Sequence, residues 1–324
     1  MTEKASIILL TDNSGETIND VLKGIFCQKT SIYFDVQIID SSSQDNTMEI
    51  VEKFPVRSEI IAKESFNHGE TRNLGASLTD GDFLVYLSHD AIPTDQWLEP
   101  LVKSLKNNDN AAGVYSRQLP SLNVPLAVKR TLENEWSFGS KKPLENKIDQ
   151  SMKTPDDFYR TFFFTDVSSC IKRKVWEIIP FRKCQIAEDM LWASDVLKAG
   201  YSTLYQPESM VFHAHVRKIR RHFNDNLNHA KTMKRLIIKD DIFGFNESSL
   251  DEKVKSSFIK KLSRPIDLPK MTFVALSQIF KDFHYILGKA DVSPGKKLWN
   301  LWYSILWESS SVLGNYIGYK SKII

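Results

Sequence analysis

Residues 83–93 read FLVYLSHDAIP: five apolar residues, then Ser88, His89 and Asp90, then Ala-Ile-Pro. Asp80-Gly81 supplies a turn just before the run and polar residues close it. A short apolar run bounded in this way predicts a strand buried on both faces, the kind found in parallel sheets. That strand ends beside a carboxylate, Asp90, and the rest of the chain can be read against it.

Outward toward the N-terminus, residues 5–10 form a second continuous apolar run. Ile18, Val21, Leu22, Ile25 and Phe26 then recur at helical spacing behind Ser14, a capping residue type. Residues 34–39 predict another strand, ending at Asp40, and a polar loop leads into a short helix over 47–53. Residues 57–62 predict a strand and 71–78 a helix. Beyond Asp90, Trp97, Leu98, Leu101, Val102 and Leu105 mark a helix, and 111–116 a strand. Repeated β-α units of this length imply an α/β fold with a parallel, wound sheet. Ligands bind such sheets in the crevice beyond the carboxyl ends of the strands. Asp40 and Asp90 both close predicted strands, so one crevice can hold both carboxylates.

The later chain changes character. Residues 119–165 read as irregular, with an aromatic patch at Phe158, Phe162, Phe163 and Phe164. Residues 188–199 predict a helix closed by Gly200. Short strands over 201–212 lead to His213-Ala214-His215. From residue 216 the chain reads as helical and basic, broken near Pro265, Pro269 and Pro294.

Composition narrows the function classes. With 43 Lys+Arg against 40 Asp+Glu, the formal charge of +3 gives no reason to expect nucleic acid. Cys27, Cys170 and Cys184 make no disulfide framework and no C-x-x-C, which points to a reducing compartment. The run at 7–10 is too short for a signal-peptide core, and no apolar stretch reaches membrane-spanning length. A cytoplasmic protein is expected, with peripheral attachment to the inner membrane face left open. The chain has no G-x-x-x-x-G-K-[ST], no G-x-G-x-x-G after the first strand, no H-E-x-x-H and no G-x-S-x-G. P-loop, Rossmann, zincin and α/β-hydrolase chemistries are therefore not expected.

Five motifs, in order, carry a resemblance. Residues 39–47, IDSSSQDNT, resemble the D-x-x-S-x-D-x-T loop of inverting glycosyltransferases of family 2. Residues 66–76, FNHGETRNLGA, look like the F-x-H-x-x-x-R-N-x-G-A segment of its rhamnosyltransferase-like members. Residues 87–93, LSHDAIP, are similar to their variant metal motif, with a single aspartate. Glu188-Asp189 and His213-x-His215 fall where the family carries its catalytic base and a late histidine. The resemblance covers residues 4–220 and implies a GT-A-type nucleotide-binding sheet. It places a catalytic domain at 1–240, with a nucleotide-sugar half over 1–117 and an acceptor half over 118–240. A helical extension follows over 241–324.

The resemblance implies roles, and each has a plainer alternative. Asp40 would bind the base or ribose of a sugar nucleotide, although aspartate also simply starts turns. Asp90 would hold Mg2+ or Mn2+ on the diphosphate, whose developing charge needs neutralising. Serine at 88 removes the first carboxylate of the usual D-x-D, so a further ligand is needed. His215 is the candidate, with His213 its competitor; a core histidine is the alternative for either. Asp80-Gly81-Asp82 is also a D-x-D, but it precedes the strand and reads as a turn. Asp189 would be the general base that takes the acceptor hydroxyl's proton, with Glu188 in support. Acidic first-turn residues also merely complement a helix dipole. Arg72 and His68 would grip sugar or diphosphate, or Arg72 would pair with a local acid. The donor-binding set is completed by Thr11, Asp12, Asn13, Ser42, Asn73, Ser88 and His89. Trp192, Arg217, Lys218, Arg220 and Arg221 are expected to face the acceptor or an anion, against a solvated basic face as the default.

In the tail, Leu298, Trp302, Ile305 and Leu306 recur at helical spacing beside Lys296 and Lys297. That pattern fits a helix lying on a membrane surface, or one packed on protein or on another copy of the chain. Gly314-x-x-x-Gly318 lies outside any apolar 20-mer, so it is not expected to be a transmembrane dimer motif. The combined reading is a metal-dependent inverting glycosyltransferase. Its donor would be dTDP-L-rhamnose, or a UDP-sugar, and its acceptor a lipid-diphosphate-linked or growing polysaccharide. A nucleotidyltransferase and a non-catalytic, membrane-docked scaffold are the alternatives.

Overall fold

The computed structural model describes residues 3–121, 124–135, 137, 139–149, 152, 155–184, 186–213, 218–238, 242, 256 and 268–321. The chain divides into two compact units. The first comprises residues 1–119, 135–152 and 157–213, and the second 120–134, 153–156 and 214–324.

The apolar runs become the centre of the first unit. β1 (Lys4–Thr11) lies between β2 (Tyr33–Asp40) and β4 (Phe83–Ser88), parallel to both. After β2 comes the short helix α2 (Thr47–Val51), and β3 (Arg57–Ile60) then extends the parallel edge. Ile7, Leu9, Val85 and Leu87 face one packing layer with α1 (Ile18–Phe26) and α4 (Leu98–Lys106). Ile8, Leu84 and Tyr86 face the other, beneath α8 (Glu188–Lys198). Both faces of these strands are buried, as continuous apolar runs require. α3 (His68–Ser77) lies close on the sheet because of Gly75: a Cβ there would stand 2.5 Å from Ile8 Cγ2.

The sheet is mixed rather than parallel throughout. β8 (Ser168–Lys172) runs antiparallel between β4 and β6 (Ala111–Leu119), and leads directly into the short helix α7 (Arg173–Trp176). β9 (Ser202–Phe212) returns parallel to β6. The described order is β3-β2-β1-β4-β8-β6-β9-β5, with β5 (Ile92–Pro93) and β7 (Leu144–Asn146) antiparallel to β9. The cause is the long connection before β8, which brings the chain back to the sheet in reverse direction. That connection holds α5 (Leu126–Asn134), β7 and α6 (Pro155–Thr161), where the sequence predicts irregular chain. Where β8 meets its neighbours, buried hydroxyls close a ring. Trp97 Nε1 donates to Ser168 Oγ (2.6 Å), Ser168 Oγ bonds Ser116 Oγ (2.7 Å), Ser116 Oγ bonds Ser209 Oγ (2.8 Å), and Ser209 Oγ donates to the Trp97 carbonyl (2.8 Å). Each buried polar group is thereby satisfied.

Asp80-Gly81-Asp82 is a turn, as expected. Asp80 pairs with Lys4, Asp82 accepts the Lys4 backbone N–H (3.1 Å), and a Cβ on Gly81 would meet the Ser6 backbone nitrogen at 2.7 Å.

The second unit is helical: α5 is joined by α9 (Ile219–Ile238), α10 (Leu268–Leu287) and α11 (Pro294–Lys320). Gly314 and Gly318 serve packing within the chain, where added Cβ atoms would meet the carbonyl oxygens of Phe223 (2.6 Å) and Leu227 (2.5 Å) on α9. His222 stacks on Trp307 with ring centroids 3.3 Å apart. This tight α9–α11 packing carries the second unit back to residue 214, whereas the sequence places the boundary near 240. Among the described residues no helix is long and apolar enough to cross a membrane.

Candidate active site

A cleft of about 600 Å³ opens at the carboxyl ends of β1 and β4. Leu10, Thr11 and Asp12 line it from β1 and its loop, Ser41 from the end of β2, and Leu87, Ser88, His89 and Asp90 from β4. Lys63, Glu64, Phe66, His68, Arg72 and His213 complete the wall. The position is the one that wound-sheet topology dictates. A larger groove of about 990 Å³, along α4 and β9, contains none of the expected site residues.

Two loops shape the nucleotide side. Asp40 is fully buried: its Oδ1 accepts the Ser43 N–H (2.8 Å), and its Oδ2 accepts from Thr11 Oγ1 (2.8 Å) and Ser43 Oγ (2.7 Å). It therefore braces the loop, and Ser41 rather than Asp40 faces the cleft. Ser42 (φ 57°) and Asn13 (φ 49°) adopt left-handed backbone, which bends both loops over the strand ends. Ser42 Oγ is committed to the Ile61 carbonyl (2.8 Å). Asn13 bridges the two loops, donating to Asp12 Oδ1 (2.8 Å) and accepting the Gln44 N–H (2.9 Å). Lys63, absent from the sequence-level set, stands 3.1 Å from Asp12 and supplies a cation at the cleft wall.

Asp90 and His213 are brought together. His213 Nδ1 lies 2.9 Å from Gln118 Oε1, and its Nε2 lies 3.5 Å from Asp90 Oδ1. Gln118 thus turns the ring so that Nε2 is the nitrogen facing the carboxylate. His215 and Arg217 lie outside the described residues. No group of three or more His, Cys, Asp or Glu arranged for a metal occurs among the described residues.

The second chemical centre is a buried acid cluster around one guanidinium. Arg72, on α3, is nearly buried; its Nε donates to Glu188 Oε1 (2.9 Å) and lies 3.1 Å from Asp166 Oδ2. Its face lies over the Tyr86 ring, 5.3 Å from the centroid. Arg72 lines the cleft and pairs with Glu188 and Asp166, acids distant in sequence, rather than with a local one. Asp189 joins the cluster through the Asp166 backbone N–H, which donates to its Oδ2 (3.2 Å). His68 Nδ1 stands 3.8 Å from Glu188 Oε1, and burial lowers the His68 pKa from its ordinary value. Three carboxylates share one permanent cation, so the cluster favours keeping a proton. Burial, then Glu188 and Asp166, push the Asp189 carboxyl up to about 8. Burial and Glu188 also raise Asp166, to about 6, against the pull of Arg72.

Ala187 precedes this pair at φ 66°, a left-handed conformation that costs a non-glycine residue about 1–2 kcal/mol. Strain of this kind gathers at sites whose geometry is over-determined. Asp166 has no sequence motif to announce it. An Asp166→Asn variant is expected to lower the Asp189 pKa by removing a neighbouring negative charge. The acid limb of the pH–rate profile should then move to lower pH, read from initial rates between pH 5 and 9 (a span of roughly two units either side of neutrality).

Two further residues expected at the ligand surface are structural. Trp192 is fully buried against Phe164 and Phe181, and its Nε1 donates to the Ile179 carbonyl (3.0 Å). It shares the inward face of α8 with Ala193 and Val196 and cannot meet an acceptor. Asn73 is spent on the segment before α8: it donates to the Phe181 carbonyl (2.8 Å) and accepts from Trp176 Nε1 (2.8 Å) and the Phe181 N–H (3.1 Å). Lys218, Arg220 and Arg221 are exposed in the second unit.

The mixed wound sheet, with its cleft at the strand ends, is of the GT-A type. The sequence profile described as "Glycosyl transferase family 2" matches residues 6–177. O-antigen chain rhamnosyltransferase WbaN of Salmonella anatum is 31% identical over 233 residues, 69% of this chain and 72% of that protein. O-antigen chain rhamnosyltransferase RfbN of Salmonella typhimurium is 31% identical over 240 residues, 70% and 73%. In fold, the chain is similar to the mannosyltransferase PcManGT from Pyrobaculum calidifontis, solved in complex with GDP-Man and Mn2+. The TM-score is 0.58 at 17% identity, covering 98% of this chain and 85% of that one. This chain belongs to glycosyl transferase family 2 and is a glycosyltransferase resembling the rhamnosyltransferases of that family.

Proposed function

We propose that this chain transfers L-rhamnose from dTDP-L-rhamnose, with inversion, to a hydroxyl of a lipid-linked or growing polysaccharide. The observation that carries the reading is Asp189, a half-buried carboxylate pushed up to about 8 and hydrogen-bonded to the loop that precedes β8. The rhamnosyl donor is supported by the two O-antigen chain relatives. In the reaction the acceptor oxygen bonds to the anomeric carbon as the bond to the diphosphate oxygen breaks. The acceptor proton passes to Asp189, and the nucleoside diphosphate leaves. One in-line displacement inverts the anomeric carbon. General-base help of this kind contributes about 10²–10⁴-fold. Lys63 and His89 line the cleft, which supports a role for them at the donor's diphosphate or sugar. Glu188, locked to Arg72, holds the base in register.

A divalent ion fits the residues present. The Asp90 carboxylate and the His213 Nε2 converge, and an imidazole nitrogen favours Mn2+ over Mg2+, which takes oxygen ligands. With His215 as a further candidate, these residues would hold an ion that neutralises charge on the leaving diphosphate. Chelation with EDTA is expected to remove most activity, and Mn2+ to restore it more fully than Mg2+. Equal activity before and after chelation would exclude the metal role.

Calorimetric titration with a panel of sugar nucleotides, with and without Mn2+, tests the donor. Tightest binding of dTDP-rhamnose is expected. Preference for a UDP-sugar would reassign the donor, and absence of nucleotide binding would point to a scaffold.

A further inference from the structure

α10 and α11 turn more large apolar side chains outward than inward. Buried on α10 are Met271, Ala275, Asp282 and Ile286, and the buried positions of α11 are, apart from Tyr303, polar or small: Asn300, Ser304, Ser310, Gly314 and Gly318. Asp282 pairs with Arg130 of α5 and accepts from Ser304 Oγ (2.5 Å), and Asn300 Oδ1 accepts the Leu126 N–H (2.7 Å). Their outward positions are apolar. On α10, Phe273 is 72% exposed and Phe280 76%, with Leu276 and Leu287 on the same stripe. On α11, Trp302 is 61% exposed, in a stripe with Trp299, Leu306, Leu313 and Ile317. A helix on a water-facing surface does the opposite, because exposed apolar side chains gain nothing from water. Contiguous apolar surface of this kind marks an interaction site.

The charges choose the occupant. The two helices carry Lys270, Lys281, Lys296, Lys297 and Lys320. Their acids are Asp282, fully buried, and Glu308, which is not among the exposed residues. Among the described residues of the two helices and their turn the exposed acid is Asp291, so a second copy of this face would set mostly lysines against lysines. An anionic lipid surface instead supplies the complementary charge, accepts the lysine heads and takes up the aromatic rings at its interface. Neither helix is long and apolar enough to cross a bilayer, so the face lies along the surface.

We propose that the outward face of α10 and α11 binds an anionic lipid bilayer surface as an interfacial platform. The proposal is independent of the donor and of the transfer chemistry. It is tested by co-sedimentation of the full chain with vesicles of phosphatidylcholine alone or with about a third phosphatidylglycerol. Partition onto the anionic vesicles is expected to exceed that onto neutral ones by about tenfold or more, and to weaken as salt rises. The triple variant Phe273→Ser, Phe280→Ser, Trp302→Ser should cut vesicle binding by about tenfold or more with unchanged helix content by circular dichroism. Failure of the wild-type chain to bind anionic vesicles would overturn the proposal. So would light scattering that shows a dimer split by the triple variant, with vesicle binding unaffected.

Discussion

Asp189→Asn is expected to abolish transfer, reducing kcat by about 10²–10⁴-fold, while donor affinity stays near wild type. Asparagine keeps the size of the side chain but cannot take a proton. Asp189 lies in the buried acid cluster rather than among the residues that line the cleft, so donor binding should survive. The same substitution should stabilise the fold, and the sign follows from linkage. The folded-state pKa, about 8, lies above the ordinary value of 3.8, so the folded chain holds a proton that the unfolded chain has lost. Wild-type stability therefore falls as pH rises from the ordinary carboxylate range to about 8. The Asp189→Asn variant escapes that loss. Thermal melts should show the variant's advantage growing from pH 5 to pH 9 (roughly the window between and just beyond the two pKa values), while steady-state assays show its activity gone. Opposite signs on activity and stability mark a site kept for chemistry.

Arg72→Met is expected to destabilise the chain by about 3–5 kcal/mol, the cost of leaving buried charge uncompensated. Arg72 Nε contacts both Glu188 and Asp166, and methionine offers them no cation. Further protons must then enter the cluster, which removes the base form of Asp189 as well. The variant should melt at a lower temperature at neutral pH and recover part of the loss under mildly acidic conditions. A melting temperature unchanged from wild type across pH 5–8 would show that the guanidinium does not hold the cluster together.

The legible part of the fold is the part whose residues are apolar on both faces. β4 announces itself as an unbroken apolar run, β1 as one broken only by Ser6, and β2 as one interrupted at Asp35 and Gln37; their ends locate the cleft. β8 does not announce itself, because SSCIK buries Ser168 in the hydroxyl ring around Trp97 and Ser169 against Asp166, and hydroxyls carry no apolar signature. Its antiparallel direction is a consequence of the long connection before it, which no local pattern encodes.

At the site, motif order picks out Asp90, Arg72, Glu188 and Asp189, and the structure assembles them at or beside the cleft. Motif order cannot distinguish a residue that meets a ligand from one that shapes the loop meeting it. Asp40 and Asn73 are of the second kind, with their polar atoms already spent on protein. Trp192 is expected to face the acceptor or an anion, but helical spacing from Val196 turns it into the core. Asp166 is invisible in sequence because a single aspartate before a strand has no pattern; its meaning comes from Arg72, 94 positions earlier by numbering (166 − 72). The stripe at Leu298, Trp302 and Leu306 is visible as a period, yet a period alone does not say which side is inward. The buried serines, asparagine and glycines of α11 answer that.

The central claim, inverting rhamnosyl transfer through Asp189, is tested most directly by the product itself. The purified chain would be given dTDP-rhamnose carrying a 13C label at the anomeric carbon, Mn2+ and lipid-linked oligosaccharide acceptors, and the new linkage read by NMR. The expected product carries rhamnose in the anomeric configuration opposite to the donor's, with one dTDP released per sugar transferred and no product from Asp189→Asn. A product that retains the donor's configuration, or undiminished transfer by Asp189→Asn, would contradict the account.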